Sequence, residues 1–399
     1  MVWVINQGIK ALYLTWRIVL TSGVIPIRQV TLEEDGLKQP GPARDNSRMW
    51  TLSTENAVEH LHFAGYWPPH VPAQARMLAG GVSNMVIRVE PVDPRSDQPS
   101  IILKQSSERL RTKAEWHSRL DRIWIETEAI RFLDSVLPSG VVPKILFEEH
   151  DHYLFGMTDL GQTCDVWKLL LLEGRAQSNL ARSAGRILGM IHESSLKHAD
   201  SLKNGRLSDW TVFDELRLDP YYRTIARAHP IIADSIENLI QRMRDLPQQT
   251  LVHADFSPKN ILVDQHSQLG LVDFETAHWG DPAFDLGFFL THLVLKTFRA
   301  MRLGMPAREE FLNMIFEFWG NYRRTFISIE NPNDFEHRTV QHLAACMLAR
   351  VDGKSPVDYL AEQDQDSVRV LTIETLKNRG GSLADFISTL RERFHQESD

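Results

Sequence analysis

His253-Ala254-Asp255-Phe256-Ser257-Pro258-Lys259-Asn260-Ile261-Leu262-Val263-Asp264, followed shortly by Leu271-Val272-Asp273-Phe274-Glu275, decides how this chain is read. An Asp, an Asn and a second Asp follow one another in short order. Apolar, strand-like runs come after the Asn and before the second Asp. Phosphoryl transfer needs this set of groups: one carboxylate to orient a hydroxyl and accept its proton, and an amide oxygen with another carboxylate to hold magnesium on the phosphates.

The order Asp, four residues, Asn, then Asp-Phe is similar to the catalytic loop of protein kinases and its metal-binding Asp-Phe-Gly. Here the loop opens His-Ala-Asp where those enzymes read His-Arg-Asp, and the later motif ends in Glu275 instead of Gly. Downstream stands Trp279-Gly280-Asp281-Pro282-Ala283-Phe284-Asp285-Leu286. With these pieces in order, the chain resembles the aminoglycoside phosphotransferase and choline kinase-like family of small-molecule kinases. Family members typically read His-Gly-Asp, so Ala254 is a small departure. The resemblance implies an α+β, two-lobed protein kinase-like fold, with a small antiparallel sheet lobe, a larger helical lobe, and ATP between them.

Bulk properties agree with a globular enzyme. The apolar share of 43% is ample for a core. The formal net charge of −8 offers no broad basic field for nucleic acid, while a nucleotide needs only a local positive patch. Cys164 and Cys346 stand far apart without metal-ligand spacing, so reduced thiols and a cytoplasmic location are expected. No run of about twenty apolar residues forms an ordinary membrane span.

Residues 1–48 stand apart. Ala11 to Ile27 is largely apolar but interrupted by Arg17, and a Gly/Pro/charge-rich stretch leads to Met49. We expect an extension of uncertain order or a start-site artefact, with a membrane-surface amphipathic helix as the rival. The ATP-binding lobe is expected over 49–158 and the catalytic and substrate lobe over 159–399. Within the first lobe the pattern predicts a short helix at about 50–66, strands between 75 and 105 broken by the polar loop Pro91 to Pro99, a helix over 119–133, and strands at 142–147 and 153–158. From Val166 helices dominate, broken by the catalytic loop and by strands at 261–263 and 269–273.

The resemblance assigns roles residue by residue. Asp255 is the catalytic base, and Asn260 and Asp273 are the magnesium ligands. Lys104, ending Ile101-Ile-Leu-Lys, grips the α- and β-phosphates and pairs with a helix Glu, either Glu126 or Glu128. Both have an apolar residue four positions on, and the Glu-Ala pair common in the family favours Glu128 slightly. Gly80, Gly81, Ser83 and Asn84 form a turn over the phosphates. Met157 and Asp159 fall where an interlobe hinge reads adenine through main-chain groups. His253 and Asp285 brace the loop. Lys259 meets a phosphate oxygen or is solvated, and Glu275 supports metal, contacts substrate or forms a surface salt bridge. His60 and His62 read as a solvated pair, His117 has no role, and Asp352-Gly353-Lys354-Ser355-Pro356 reads as a helix-ending turn.

The expected activity is ATP- and magnesium-dependent phosphorylation of a small-molecule hydroxyl. Glu275, Asp281, Asp352 and Asp358 suit a cationic acceptor or are merely solvated. Trp210, Trp279 and Trp319 wall a sugar or amine, or pack the core. A non-catalytic nucleotide-binding module is the second reading, opposed by the full catalytic set. A protein kinase is the third, opposed by the lack of Ala-Pro-Glu and of an activation segment. Removal of residues 1–48 is expected to leave folding and activity intact; loss of soluble protein on that truncation would refute this.

Overall fold

A computed structural model describes residues 50–78, 84–107 and 118–396. Residues Met49–Asp399 form one unit. The expected extension over 1–48 lies outside the described residues, as do Gly80, Gly81, Ser83 and His117.

The chain begins with the short helix α1 (Ala57–Phe63) and three strands, β1 (Ala73–Met77), β2 (Asn84–Pro91) and β3 (Ile101–Ser106). Helix α2 (Arg122–Val136) follows, then β4 (Ile145–Glu149) and β5 (Leu154–Thr158). The five strands form one antiparallel sheet in the order β1-β2-β3-β5-β4. Strand β3 lies at its centre, and every residue of it is buried.

A strand's side chains alternate between faces, and β3 uses both. Ile101 and Leu103 join Leu52, Ala57, Leu61 and Trp67 in a cluster under α1. Ile102 points the other way, packing with Phe155, Met157 and the α2 residues Ile123, Ala129 and Ile130. Lys104 shares the parity of Ile102. The strand therefore carries its ammonium to the α2 side.

After β5 come the two-residue β6 (Asp165–Val166), α3 (Trp167–Leu172), α4 (Ser178–Lys197) and the short α5 (Ala199–Leu202) and α6 (Thr211–Phe213). Asp214–Arg223 is π-helical, with Pro220 inside it, and runs into α7 (Thr224–Ala228) and α8 (Ala233–Asp245). Pro220 has no N–H to give a regular helical ladder, and the wider turn accommodates it. The catalytic stretch lies among β7 (Thr250–Val252), β8 (Ile261–Val263), β9 (Leu269–Leu271) and β10 (His278–Gly280). Strand β7 pairs with β10, and β8 pairs with both β6 and β9. The β7–β10 ribbon was not anticipated, because His278-Trp279-Gly280 presents no apolar strand-like run.

Helices α9 (Pro282–Arg302), α10 (Arg308–Thr325), α11 (Pro332–Asp352), α12 (Glu362–Lys377) and α13 (Leu383–Gln396) complete the chain. Helix α9 is buried along nearly its whole length. Its N-terminus is made by Asp281, whose carboxylate accepts the Ala283 N–H at 2.9 Å, with Pro282 in the first turn. Helix α11 ends at Asp352 with Gly353 as its cap, so the 352–356 stretch is a helix-ending turn. Among the described residues no helix is long and apolar enough to cross a membrane.

Helices α4 and α10 touch backbone to backbone. A Cβ at Gly185 would lie 2.3 Å from the Phe318 carbonyl oxygen, and one at Gly189 would lie 2.7 Å from Thr325 Cβ. Backbone cannot yield as a side-chain tip can. Gly185→Ala is therefore expected to destabilise the fold by about 1–3 kcal/mol; a midpoint of denaturant unfolding equal to that of the wild type would disprove the close approach.

Candidate active site

The loop that opens at His253 is held by a buried carboxylate. Asp285, in the first turn of α9 and fully buried, accepts the backbone N–H groups of His253 at 2.7 Å and Ala254 at 2.8 Å. His192 of α4 sits 3.3 Å from the same carboxylate and is fixed in turn by the Tyr322 hydroxyl at 2.7 Å. The clamp holds the chain where Ala254 adopts φ +58°. A left-handed conformation costs a residue with a Cβ about 1–2 kcal/mol, which explains why Gly suits this place and why Ala is tolerated only under such a clamp. His253 is buried, and burial keeps its imidazole below its ordinary pKa despite Asp285 and Asp255 nearby.

Asp255 emerges from the loop into a cationic grip. Arg217 of the π-helical turn lies 3.0 Å from one oxygen. Lys259 lies 2.7 Å from the other, which also accepts the Asn260 side-chain N–H at 2.8 Å. Burial works against ionisation, but Arg217 and Lys259 outweigh it and hold the Asp255 carboxyl below its usual range. Asn260 spends its amide nitrogen on Asp255, leaving the amide oxygen as the end suited to a hard cation.

Asp273 follows β9 in a left-handed conformation, φ +71°. Lys104 reaches it at 2.6 Å and pairs with Glu126 of α2 at 2.7 Å. Burial opposes the charge on Asp273, yet Lys104 and Lys259 hold its carboxyl well below the ordinary value. For Glu126, burial dominates and the Asp273 and Glu275 carboxylates add to it, so its carboxyl is pushed up to about 7 against the pull of Lys104. Glu126 also accepts the Phe274 N–H at 3.3 Å, tying α2 to the motif that carries Asp273. Sheet, helix and loop thus converge on one cluster: the Asp255 and Asp273 carboxylates, the Asn260 amide and the Lys104 ammonium.

The model of the phosphotransferase enzyme family matches residues 74–326. The chain belongs to that family. Two curated kinases are similar to it. The 4-hydroxytryptamine kinase of Psilocybe cyanescens is 24% identical over 266 residues, which is 60% of this chain and 73% of that protein. The 4-hydroxytryptamine kinase of Psilocybe cubensis is 22% identical over 262 residues, 59% and 72% of the two chains. Among solved structures, the amicoumacin kinase hAmiN in complex with AMP-PNP, Ca2+ and Ami superposes with a TM-score of 0.50 at 15% identity, over 84% of this chain and 97% of that one. The fold is protein kinase-like, and the protein is a small-molecule kinase with an alcohol group as acceptor.

Within this phosphotransferase the preference for Glu128 is corrected: the partner of Lys104 is Glu126. Glu128 sits at the helix surface, 3.9 Å from Arg206. Glu126 has Ile123, Ala129, Ile130 and Leu133 three, four and seven positions away on its own face, all buried. That wider pattern separates the two candidates where one i+4 neighbour does not.

Glu275 is likewise no surface salt bridge. It is buried, 2.9 Å from the Arg122 guanidinium, and accepts the Asn84 side-chain N–H at 2.8 Å. The amide of Asn84 is thereby engaged within the protein, and Asn84 accepts from Arg122 at 3.2 Å as well. Asp159 uses its carboxylate to pair with Arg88 of β2 at 2.7 Å and to accept the Gly161 N–H, while the Met157 side chain is buried in the core. His60 is not a solvated residue either, bonding Glu149 at 2.9 Å beside the Trp50 ring.

Sequence reading missed Arg217 and Arg122. Arg122 stands one turn before Glu126, a visible hint; Arg217 lies in a segment with no motif, and nothing local marks it.

His278 on β10 packs against Phe213 with ring centroids 4.1 Å apart. Burial pushes its imidazole down to about 4 from an ordinary 6.5, against the Thr276 carbonyl bond that favours the charged form. Between those values the unfolded chain takes up a proton that the folded chain refuses. The stability that neutral His278 contributes is therefore complete above pH 6.5 and is lost as pH falls toward 4, by about 3 kcal/mol. In urea unfolding across this window, His278→Gln is expected to show a flatter loss than the wild type, and parallel curves would exclude His278 as the source.

Proposed function

We propose that this enzyme transfers the γ-phosphoryl group of ATP, as its magnesium complex, to a hydroxyl of a small molecule. The observation that carries the reading is the joint position of Asp255, Asn260, Asp273 and the Lys104–Glu126 pair within one hydrogen-bonded cluster.

Asp255 aims the acceptor hydroxyl. In the transfer, the acceptor oxygen bonds to the γ-phosphorus as the bond to the β-phosphate oxygen breaks. ADP leaves, and the hydroxyl proton passes to Asp255. A carboxylate with a depressed pKa suits this chemistry, because in a loose transition state the proton moves late and orientation matters more than basicity. Asn260 and Asp273 present the oxygen ligands that magnesium prefers, and bound magnesium would neutralise charge on the phosphates. Lys104, steadied by Glu126, positions the α- and β-phosphates. Lys259, bridging toward Asp255 and Asp273, offsets charge developing on the transferred group. The main chain around Met157 and Asp159 reads adenine. Two free cysteines, Cys164 half-buried and Cys346 buried, fit a reducing compartment, and we place the enzyme in the cytoplasm.

Asp255→Asn keeps the shape and removes the proton acceptor. It is expected to lower kcat by roughly 10²–10⁴-fold, with the KM for ATP little changed. The assay is magnesium-dependent ADP release with a panel of alcohols. Wild-type turnover that survives the substitution would remove Asp255 from the role assigned to it.

A further inference from the structure

Four carboxylates made a cationic acceptor attractive from sequence, and three of them are already neutralised. Glu275 is held by Arg122, Asp281 by Arg338 at 2.8 Å, and Asp352 by Arg369 at 2.8 Å and His229 at 2.8 Å. A buried charge that no carboxylate among the described residues pairs with has the opposite sign.

Lys296 of α9 is 2% exposed. Its ammonium touches the His292 carbonyl at 3.3 Å and lies 5.2 Å from the centre of the Tyr359 ring. No carboxylate among the described residues pairs with it. Around it stand three buried polar atoms without a hydrogen-bond partner among the described residues: His292 Nε2, Tyr359 Oη and Arg350 Nε. His292 is itself 9% exposed. A buried polar atom left unpaired costs about 1–3 kcal/mol, and three around one unpaired lysine are not an ordinary core. All four groups can donate, and together they match a negatively charged oxygen group.

The cluster adjoins the reacting centre. Arg217, which grips Asp255, lies 5.4 Å from the Phe288 ring centre, and Phe288 packs on His292 at 5.3 Å. Arg350 donates to the Tyr221 hydroxyl at 3.2 Å, and Tyr221 flanks the same Arg217 at 5.8 Å. We propose that His292, Lys296, Arg350 and Tyr359 form the acceptor's anchoring subsite, and that the acceptor is a hydroxylated carboxylic acid whose carboxylate lies against Lys296 while its hydroxyl reaches Asp255.

This rests on the kinase reading above and adds its substrate class. The charges facing Lys296 agree with it. Burial, with Lys168, Arg350 and Arg299 nearby, pushes the Lys296 ammonium down to about 7. Asp358 stands beside Tyr359, and Asp255 acts on Arg350 from the reacting centre. An arriving carboxylate restores the full charge on Lys296, so binding above neutral pH takes up a proton.

The test uses the full chain with magnesium and AMP-PNP for binding, and ATP for turnover. Aliphatic and aromatic hydroxy acids are compared with their primary amides and with matched amino alcohols. Carboxylates are expected to raise the unfolding temperature and stimulate ADP release where amides and amines do not. Lys296→Met is expected to raise the KM for the active acid roughly ten- to a hundredfold with a much smaller change in kcat, and to abolish the proton uptake. The variant removes an unpaired buried charge and is expected to fold at least as well as the wild type. Tyr359→Phe gives a second, milder KM effect should Lys296→Met misfold. A panel in which acids do no better than amides or amines, including one in which no compound acts, overturns the inference. Amines turned over with Asp255-dependent kinetics would overturn it while leaving the kinase reading intact; ATP binding that ignores magnesium would count against that reading instead.

Discussion

The fully buried carboxylate of Asp285 organises everything around it. Two backbone N–H groups of the catalytic loop converge on it, and His192 closes its remaining side. A buried carboxylate is tolerated only where donors satisfy it, and here the donors are the loop. Helix α9 supplies the carboxylate, the loop supplies the N–H groups, and the conformation at Ala254 follows from their union. Asp255 points where it does because the two preceding residues have no freedom left.

The sheet solves a different problem by parity alone. Central strand β3 buries both faces, so its one lysine must emerge on the α2 side or remain unpaired under α1. Placing Lys104 two residues after Ile102 chooses the face, and the helix that covers Ile102 brings Glu126 to meet it. The ion pair is therefore a product of strand alternation and helical spacing.

Much of this was legible because it is local. The Asp, Asn and Asp of the loop, the strand ending in Lys104 and the bracing Asp285 all lie in or near short motifs. What escaped was long-range. Arg217 lies 38 residues before Asp255 in a π-helical turn, and Arg122 meets Glu275 across 153 positions. Such pairings are decided by packing, which sequence spacing does not encode. The acidic residues misled for a similar reason. Asp281 and Asp352 look available in one dimension and are spent on Arg338 and Arg369 in three. The choice between Glu126 and Glu128 was nearly readable and turned on counting a whole helical face instead of one neighbour.

The cations around Asp255 and Asp273 are paired within the protein. Lys104, Arg122, Arg217 and Lys259 stand against Glu126, Asp273, Glu275 and Asp255, each cation on a carboxylate. On the proposed function, a bare divalent ion would meet carboxylates that face cationic side chains, and a bare nucleotide would meet cations that have carboxylate partners. On that same function, Asn260 and Asp273 would hold the metal and Lys104 would hold the phosphates, so a metal-bound nucleotide would compete with the Lys104–Asp273 pair from both sides. Loading such a site would then be a swap of partners between side chains and ligand, with the Lys104–Asp273 contact as the one exchanged.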